Sequence, residues 1–223
     1  ELKACGLNRI TVSLDSIDPA QFMQMTGGRG NLETVLEGIN AALSVGFKKV
    51  KINAVIKRGT NDDQVIEMVD YFKDQSVIIR FIEYMDVGAT NSWNLDHVMT
   101  GKEMRTLIEK EFGRIQPIEP DHPSDVAREY SMKSGSVLGF IESISNPFCG
   151  DCSRARLSAN GSIFTCLFAT KGFDIRGILR MDASKTEISK AISSIWSQRK
   201  DRYSETRSEK TDSERIEMSF IGG

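Results

Sequence analysis

The chain has 223 residues, of which 39% are hydrophobic and 27% charged, so it is long and apolar enough to bury a sizeable core. Its formal net charge of −2 argues against a general nucleic-acid-binding protein, which would carry a basic surface. The sequence contains no apolar run long enough to span a bilayer and opens on no signal peptide, so we expect no membrane partner.

The first half of the sequence alternates β-rich and helical segments. β-branched and apolar runs predict strands at 9–15, 50–56 and 77–85. Between them, apolar residues recur at helical spacing after Asn31 and after Asn61, and each asparagine is expected to begin a helix. Strands that alternate with helices predict an α/β fold, either an open parallel sheet or a β/α barrel.

Each predicted strand carries polar residues within an otherwise apolar run: Ser13, Lys51 with Asn53, and Arg80. Reactive groups of β/α barrels collect at the carboxyl ends of the strands, where Lys51 and Arg80 would form an electropositive mouth. The alternative is that each cation simply reaches water from an edge strand. Three strands cannot close a barrel, so we expect that part of the barrel lies upstream of this sequence.

A capping box, Thr100-x-x-Glu103, begins a helix that is followed by a proline-rich linker. We place the domain boundary at this linker, dividing the chain into 1–116 and 117–223. Beyond it, two segments at 127–132 and 136–144 are expected to be antiparallel strands.

A second capping box, Ser184-x-x-Glu187, predicts a helix near the end of the chain. Ile188, Ile192, Ile195 and Trp196 recur at helical spacing and are expected to form its buried side. The charge-dense segment 198–217 is expected to be a solvated or loosely ordered tail.

Three of the four cysteines lie close together, as Cys149-x-x-Cys152 followed by Cys166. A Cys-x-x-Cys turn places two sulfurs on one side of a tight loop, as shared metal ligands require. The Asn160-Gly161 dipeptide is typical of a type I′ turn, so a hairpin of strands 154–159 and 162–167 would return Cys166 to the other two.

No fourth ligand follows at metal-binding spacing, which favours an iron–sulfur cluster with one open iron over a closed zinc site. Zinc with a distant fourth ligand and unrelated buried cysteines stay open as alternatives. Cysteines at ligand spacing also predict a reducing, cytoplasmic compartment.

Arg154 and Arg156 follow the cysteine pair and are two residues apart, so on a strand both side chains would project from one face. Paired guanidinium groups beside a metal centre suit a polyanionic ligand, because each can bind phosphate oxygens bidentately. The alternative is that both are ordinary solvent-facing residues.

Five segments of the sequence are recognisable when they are taken together. They are Phe148-Cys-Gly-Asp-Cys-Ser-Arg-Ala-Arg-Leu157, the Asn160-Gly161 turn, Thr165-Cys-Leu-Phe168, Ile79-Arg-Phe-Ile-Glu-Tyr-Met85 and the terminal Ile221-Gly-Gly223. Across essentially the whole chain, this set resembles the GTP 3′,8-cyclase family, the radical S-adenosylmethionine (SAM) enzymes of molybdenum cofactor biosynthesis.

The resemblance implies the C-terminal half of an incomplete (β/α)6 TIM-like barrel, followed by an α+β extension with an auxiliary [4Fe–4S] cluster. Cys149, Cys152 and Cys166 would hold that cluster, and its open iron would meet the guanine of GTP. The remaining implied roles are GTP binding by Lys51, Arg154 and Arg156, SAM binding by Ser13, Arg80 and Met85, and an active-site tail formed by Gly222 and Gly223.

The implied activity is a lyase reaction that converts GTP to (8S)-3′,8-cyclo-7,8-dihydroguanosine 5′-triphosphate. The implied partners are GTP, SAM, an electron donor and a cyclic pyranopterin monophosphate synthase that acts on the product, with a homodimer also possible. The alternative is a structural zinc-binding interaction module derived from the same fold.

The sequence departs from the family at its first cluster. The family holds that cluster with a Cys-x-x-x-Cys-x-x-Cys motif, which is absent here, and Cys5 stands alone. Glu1–Gly6 also resembles the end of a helix. We therefore expect a C-terminal portion of the enzyme that does not generate the 5′-deoxyadenosyl radical by itself.

Overall fold

The computed structural model describes residues 1–88, 93–207 and 216–221. The chain divides into two compact units, the first made of 1–85 and 94–146 and the second of 86–93 and 147–223. The packing boundary after residue 146 lies beyond the predicted domain boundary, because the strands that follow residue 116 join the sheet of the first unit. A functional division at 116/117 stays a prediction.

The first unit contains one sheet and four helices. The strands are β1 (Ile10–Ser13), β2 (Val50–Ile56), β3 (Val77–Glu83), β4 (Gln116–Pro117), β5 (Arg128–Ser131) and β6 (Val137–Ile141). The helices are α1 (Pro19–Met25), α2 (Leu32–Ser44), α3 (Gln64–Phe72) and α4 (Gly101–Phe112), with a 3-10 turn at Leu95–His97.

The sheet has the strand order β1-β2-β3-β6-β5-β4. The first four of these strands are mutually parallel, and β5 and β4 complete the sheet in antiparallel orientation. The predicted α/β class with a parallel-rich sheet is therefore confirmed, as is the antiparallel pairing of the two strands beyond residue 127. The parallel pairing of β6 with β3 was not predicted.

One face of the sheet forms the hydrophobic core. Alternate residues of β2 and β3 are buried, as strand geometry requires of a sheet covered on one side. Ile52, Phe81 and Phe140 on this face are at most 2% exposed, and they belong to the same buried cluster as Met68 of α3 and Met104 of α4. The opposite face carries the polar residues that the sequence singled out.

The helix predicted to begin at Asn61 begins later, with Asp63 as its N-cap. The Asn61 side chain is fully buried and binds three backbone groups instead: it accepts from the N–H of Lys57 and donates to the carbonyls of Asp15 and Val55. Among the described residues, no helix combines the length and the apolar character that a membrane span requires.

The described part of the second unit contains three short strands and two α-helices: β7 (Arg156–Leu157), β8 (Ser162–Phe164), β9 (Phe173–Asp174), α5 (Arg176–Arg180) and α6 (Lys185–Ser197). The predicted cysteine hairpin is confirmed as an antiparallel β7–β8 pair, although its strands are shorter than expected. The predicted type I′ turn is wrong, because only Gly161 has a positive φ and Asn160 does not. The N–H of Gly161 bonds to the carbonyl of Ser158, as in a type I turn followed by a left-handed glycine.

Two predictions for the end of the chain were wrong. No residue of α6 is buried; Ile192 and Trp196 line an open apolar cleft of about 270 Å³ with residues of the hairpin. The segment after α6 is not a solvated tail over its described part, since Tyr203 is buried and the side chain of Arg199 is 12% exposed. Residues 208–215 lie outside the described ranges.

Candidate functional site

The three clustered cysteines all lie in the second unit as half-buried free thiols. The N–H of Cys152 bonds to the carbonyl of Cys149 at 3.4 Å, so the Cys-x-x-Cys segment closes as a tight turn. The described residues contain no group of three or more His, Cys, Asp or Glu side chains arranged to hold one metal ion. Convergence of Cys149, Cys152 and Cys166 on one centre therefore stays a prediction.

Two of the thiols accept hydrogen bonds from nitrogen donors. Nε and Nη2 of Arg154 both lie 3.3 Å from Cys152 Sγ, and the N–H of Phe168 lies 3.4 Å from Cys166 Sγ. Burial by itself would raise the pKa of Cys152, but hydrogen bonds from Arg154 outweigh it and hold that pKa below the ordinary value. At Cys166 burial prevails and raises the pKa.

The two arginines of the hairpin differ in their surroundings. Arg154 is exposed, with its guanidinium 5.2 Å from the ring centre of Phe148, whereas Arg156 is half-buried in β7. Burial and the Arg154 charge lower the pKa of Arg156, while the Cys166 and Cys152 thiolates oppose this shift. Arg154 precedes β7, so strand periodicity does not place its side chain on the same face as that of Arg156. The role of both arginines as ligands of a polyanion stays a prediction.

A cleft of about 580 Å³ opens beside Cys166. Its lining includes Phe168, Arg199, Asp201 and Tyr203, and its size lies within the range of ligand pockets, roughly 300–1,000 Å³. The residues after α6 that line it were missed by sequence reasoning. Their signal was weak, because a dense run of charges is typical of a solvated segment.

In the first unit, a polar row crosses the sheet. The strand register places Ser13 beside Asn53, Asn53 beside Arg80, Arg80 beside Gly139 and Gly139 beside Glu129. A Cβ at Gly139 would lie 3.0 Å from Arg80 Cγ, so glycine makes room for the arginine side chain. Asn53 and Arg80 alternate with the buried residues of β2 and β3, so the row lies on the face of the sheet opposite the core.

Glu129 faces two cations on this surface. Its Oε1 lies 3.4 Å from Arg80 Nη2 and 3.8 Å from Lys51 Nζ. Burial and the neighbouring Arg80 charge lower the pKa of Lys51, although the Glu129 carboxylate opposes them.

A cleft of about 170 Å³ is lined by Lys51, Arg80 and Glu129 together with Arg9 and Lys49. Arg9 and Lys49 precede β1 and β2, and Lys51 is the second residue of β2. The expectation that Lys51 lies at the carboxyl end of its strand is therefore wrong. Acidic side chains of residues 119–125 also line this cleft, so its walls carry both signs of charge.

Two buried polar atoms of the row lack a hydrogen-bond partner among the described residues: Asn53 Oδ1 and Arg80 Nε. A buried polar atom without a partner costs about 1–3 kcal/mol, so such atoms are usually satisfied by water or a ligand. Satisfaction of these two atoms by a ligand, and binding by Ser13 and Arg80, stay predictions.

The other predicted site residues are only partly described. Ser13 is exposed at the end of β1 and belongs to the polar row, and Met85 is half-buried two residues beyond β3. Gly222 and Gly223 lie outside the described residues.

Two family models match the sequence. Residues 77–205 match Molybdenum Cofactor Synthesis C, and residues 1–72 match the Radical SAM superfamily.

Curated proteins named GTP 3′,8-cyclase are similar to this chain over its whole length. The protein of Xanthomonas campestris pv. campestris (strain 8004) is 42% identical over 224 residues, which cover 100% of this chain and 65% of that protein. The proteins of Staphylococcus carnosus (strain TM300) and Staphylococcus aureus (strain Mu3 / ATCC 700698) are 43% and 44% identical over 229 residues, with 67% of each covered. The chain thus spans about two thirds of the length of these relatives. From the identity over the whole chain and the two family matches, it belongs to the GTP 3′,8-cyclase family of radical SAM proteins in molybdenum cofactor biosynthesis.

Proposed function

We propose that the intact protein is a GTP 3′,8-cyclase, which converts GTP to (8S)-3′,8-cyclo-7,8-dihydroguanosine 5′-triphosphate, and that this chain supplies GTP binding and the auxiliary cluster. The observation that carries the proposal is the presence, in one compact unit, of three half-buried thiols and two adjacent arginines. The names of the relatives support the same reaction. We place the protein in the cytoplasm, where thiols stay reduced.

The thiols fit an iron–sulfur cluster by their chemistry. Cys149, Cys152 and Cys166 are softer ligands than carboxylates, and N–H donors to two of the sulfurs are typical of cluster surroundings. A [4Fe–4S] cluster on three thiolates would leave one iron open to the guanine base. Zinc, which prefers four protein ligands, fits a set of three cysteines less well.

We propose that Arg154 and Arg156 bind the triphosphate of GTP. A guanidinium group donates in a planar fork that matches phosphate oxygens, and charge-assisted hydrogen bonds are about twice as strong as neutral ones. Arg156 is already partly desolvated in β7, which strengthens its interaction with an anion. Together with a contact at the base, this would hold the ribose between two fixed ends.

The first unit would supply the remaining ligand contacts, through Ser13 and Arg80 of the polar row and through Lys51 and Met85, which lie outside that row. We propose that Lys51 binds GTP, and that Ser13, Arg80 and Met85 bind SAM. Arg80 Nε, which has no hydrogen-bond partner in the part of the chain that the structure describes, and the neighbouring charge of Lys51 support a polar, partly anionic ligand on this face. Gly222 and Gly223 are proposed as an active-site tail by the family resemblance alone.

We propose that β1, β2 and β3 are later strands of an incomplete radical SAM barrel, with 1–116 as barrel units and 117–223 as the GTP-binding extension. The parallel order of these three strands supports this assignment, and β6 of the extension joins the same sheet in parallel beside β3. SAM cleavage needs a cluster motif that these 223 residues do not contain, so we expect no radical formation from this chain alone.

The test of GTP binding is the double substitution Arg154→Ala with Arg156→Ala in the intact protein. Two charge-assisted contacts are worth about 3 kcal/mol or more, so the dissociation constant for GTP should rise at least ~100-fold. Arg180→Ala, at an exposed arginine of α5, is the matched control and should leave the affinity unchanged. Isothermal titration calorimetry measures both, and unchanged affinity in the double variant would contradict the proposal.

The cluster is tested by the triple variant Cys149→Ala, Cys152→Ala, Cys166→Ala. After anaerobic reconstitution, the wild-type protein should hold about four more irons per chain than this variant. A colourless protein from which the triple substitution removes one zinc instead would favour the zinc-binding interaction module.

A further inference from the structure

Arg199 bridges the two segments that carry the clustered cysteines. Its Nη1 donates to the carbonyl of Cys152 at 2.7 Å, and its Nε donates to the carbonyl of Thr165, the residue before Cys166, at 3.1 Å. The planar guanidinium of Arg199 therefore binds the backbone of Cys152, a proposed cluster ligand, and the backbone next to Cys166, another proposed ligand.

The guanidinium of Arg199 is itself held in place. Its side chain is only 12% exposed, and its carbon Cζ lies 5.1 Å from the ring centre of Trp196, on the last turn of α6. Asp201 Oδ2 lies 3.5 Å from Arg199 Nε and also accepts from Thr165 Oγ1 at 2.6 Å. The Asp201 carboxylate thus orients both Arg199 and Thr165, whose carbonyl Arg199 binds.

The hairpin by itself is a weak constraint on the cysteines. Its ladder consists of two residue pairs, Arg156 with Phe164 and Leu157 with Ile163, and neither Cys152 nor Cys166 belongs to it. The cysteines lie at the open end of the hairpin, where no ladder bond fixes their spacing. The two carbonyl contacts of Arg199 close this end.

We propose that Arg199 is a positioning residue for the auxiliary cluster, fixing the distance between the Cys152 and Cys166 segments; this rests on the cluster of the proposed function. Metal sites depend on the groups that orient their ligands, and loss of such a group typically costs about 10–100-fold in metal affinity. The positive charge of the largely buried Arg199 side chain would also raise the reduction potential of an anionic cluster bound beside it, because net charge and hydrogen bonding help to set that potential.

The test uses the intact protein, reconstituted anaerobically with iron and sulfide. The iron of this site is defined as the difference between the wild-type protein and the triple cysteine-to-alanine variant. Arg199→Gln should release this iron to a chelator at least ~10-fold faster than the wild type, and should lower the reduction potential of the loaded site. Arg199→Lys should also release iron faster, because one ammonium group does not span both carbonyls, but should keep a potential near that of the wild type. Arg180→Gln, at an exposed arginine of the same unit, should match the wild type in both measurements.

The outcomes separate the inference from the function on which it rests. If the triple cysteine variant holds as much iron as the wild type, the auxiliary cluster itself is wrong. If that variant loses iron but both Arg199 variants release iron at the wild-type rate and potential, the positioning role is overturned. A lower melting temperature of the Arg199 variants without a change in release or potential would equally overturn it, since a purely structural arginine gives that result.

Discussion

At the scale of single residues, Asp15 shows a carboxyl group in an unfavourable setting. It follows β1, is half-buried, and accepts the N–H of Val55 at 2.8 Å. Burial raises the pKa of Asp15, and the hydrogen bond from Val55 offsets this only in part. Folded protein therefore binds this proton more tightly than the unfolded chain does.

This shift makes stability depend on pH in a defined direction. The stabilising contribution of the Asp15 proton is fully present below the unfolded value of 3.8 and is lost as the pH rises through the raised folded-state pKa. Asp15→Asn keeps an oxygen for the Val55 N–H and removes the charge. We expect it to stabilise the protein at pH 7 by on the order of 1 kcal/mol, and to lose this advantage on acidification.

Thermal denaturation of the wild type and of Asp15→Asn between about pH 3 and pH 7 measures the effect, because a carboxyl group with a raised pKa titrates in this range. Asp18→Asn is the matched control, because asparagine is as good an N-cap as aspartate for α1. A melting temperature for Asp15→Asn at or below that of the wild type at pH 7 would contradict the prediction.

Single residues also show what the sequence could predict of the site. The Cys149-x-x-Cys152 spacing and the nearby arginines are local signals, and they drew attention to the second unit. Arg199 could not be found in this way, because its role depends on carbonyl groups of segments far from it in the chain. Backbone acceptors leave no trace in side-chain composition.

At the scale of elements, Glu83 joins three parts of the first unit. It is the last residue of β3, is fully buried, and its Oε1 accepts from the N–H of Gly101 at the start of α4 at 2.8 Å. Its Oε2 accepts from the N–H groups of Ile144 and Ser145 at 2.8 Å each, and the hydroxyl of Ser145 also donates to Oε1. A carboxylate at a helix N-terminus is further stabilised by the helix dipole.

We expect Glu83→Gln to destabilise the protein by about 2–3 kcal/mol. The amide nitrogen would face one of two donor pairs and leave that pair without its acceptor. One pair is the N–H of Gly101 with the hydroxyl of Ser145, and the other is the N–H groups of Ile144 and Ser145. Urea denaturation followed by circular dichroism measures the change. Glu111→Gln, on the exposed surface of α4, should shift the free energy of unfolding by less than about 0.5 kcal/mol. Equal effects of the two substitutions would show that the buried contacts of Glu83 contribute little.

Element boundaries were predictable where local hydrogen bonds decide them. Both capping boxes, at Thr100 and Ser184, form with reciprocal bonds to Glu103 and Glu187, because all the atoms involved lie within four residues. Asn61 is also a residue type favoured at the N-cap, but its side chain binds backbone groups of two other segments instead. Tertiary contacts override a capping preference that is worth only about 1 kcal/mol.

At the scale of the whole molecule, sequence reasoning, packing and the family matches divide the chain at three different positions. The predicted boundary lies at 116/117, the packing boundary after 146, and the two family matches meet between 72 and 77. The prolines after residue 116 indicated a linker, but Pro117 lies in β4, which is an edge strand of the sheet. Proline is tolerated at an edge because its missing N–H faces away from the ladder. Composition alone does not distinguish such a strand from a linker.

Because the chain folds into two compact units, we expect a bound cluster to stabilise chiefly the second unit, which carries the three cysteines. A group that binds only the folded state stabilises the structure that holds it, and local openings are confined to cooperative segments. In the intact reconstituted protein, replacing Cys149, Cys152 and Cys166 by alanine should speed amide hydrogen exchange at least ~10-fold in 147–170. Exchange in β2 and β3 should be unchanged.

Hydrogen exchange followed by mass spectrometry resolves the two sets of peptides, and Cys5→Ala, an exposed cysteine outside the cluster segments, is the matched control. An equal acceleration in both units would show that the chain opens as one cooperative body, which contradicts local stabilisation. No acceleration in either unit would mean that these thiols hold no stabilising group. Acceleration confined to 147–170 would place the binding free energy of the cluster in the unit that carries Arg154, Arg156 and Arg199.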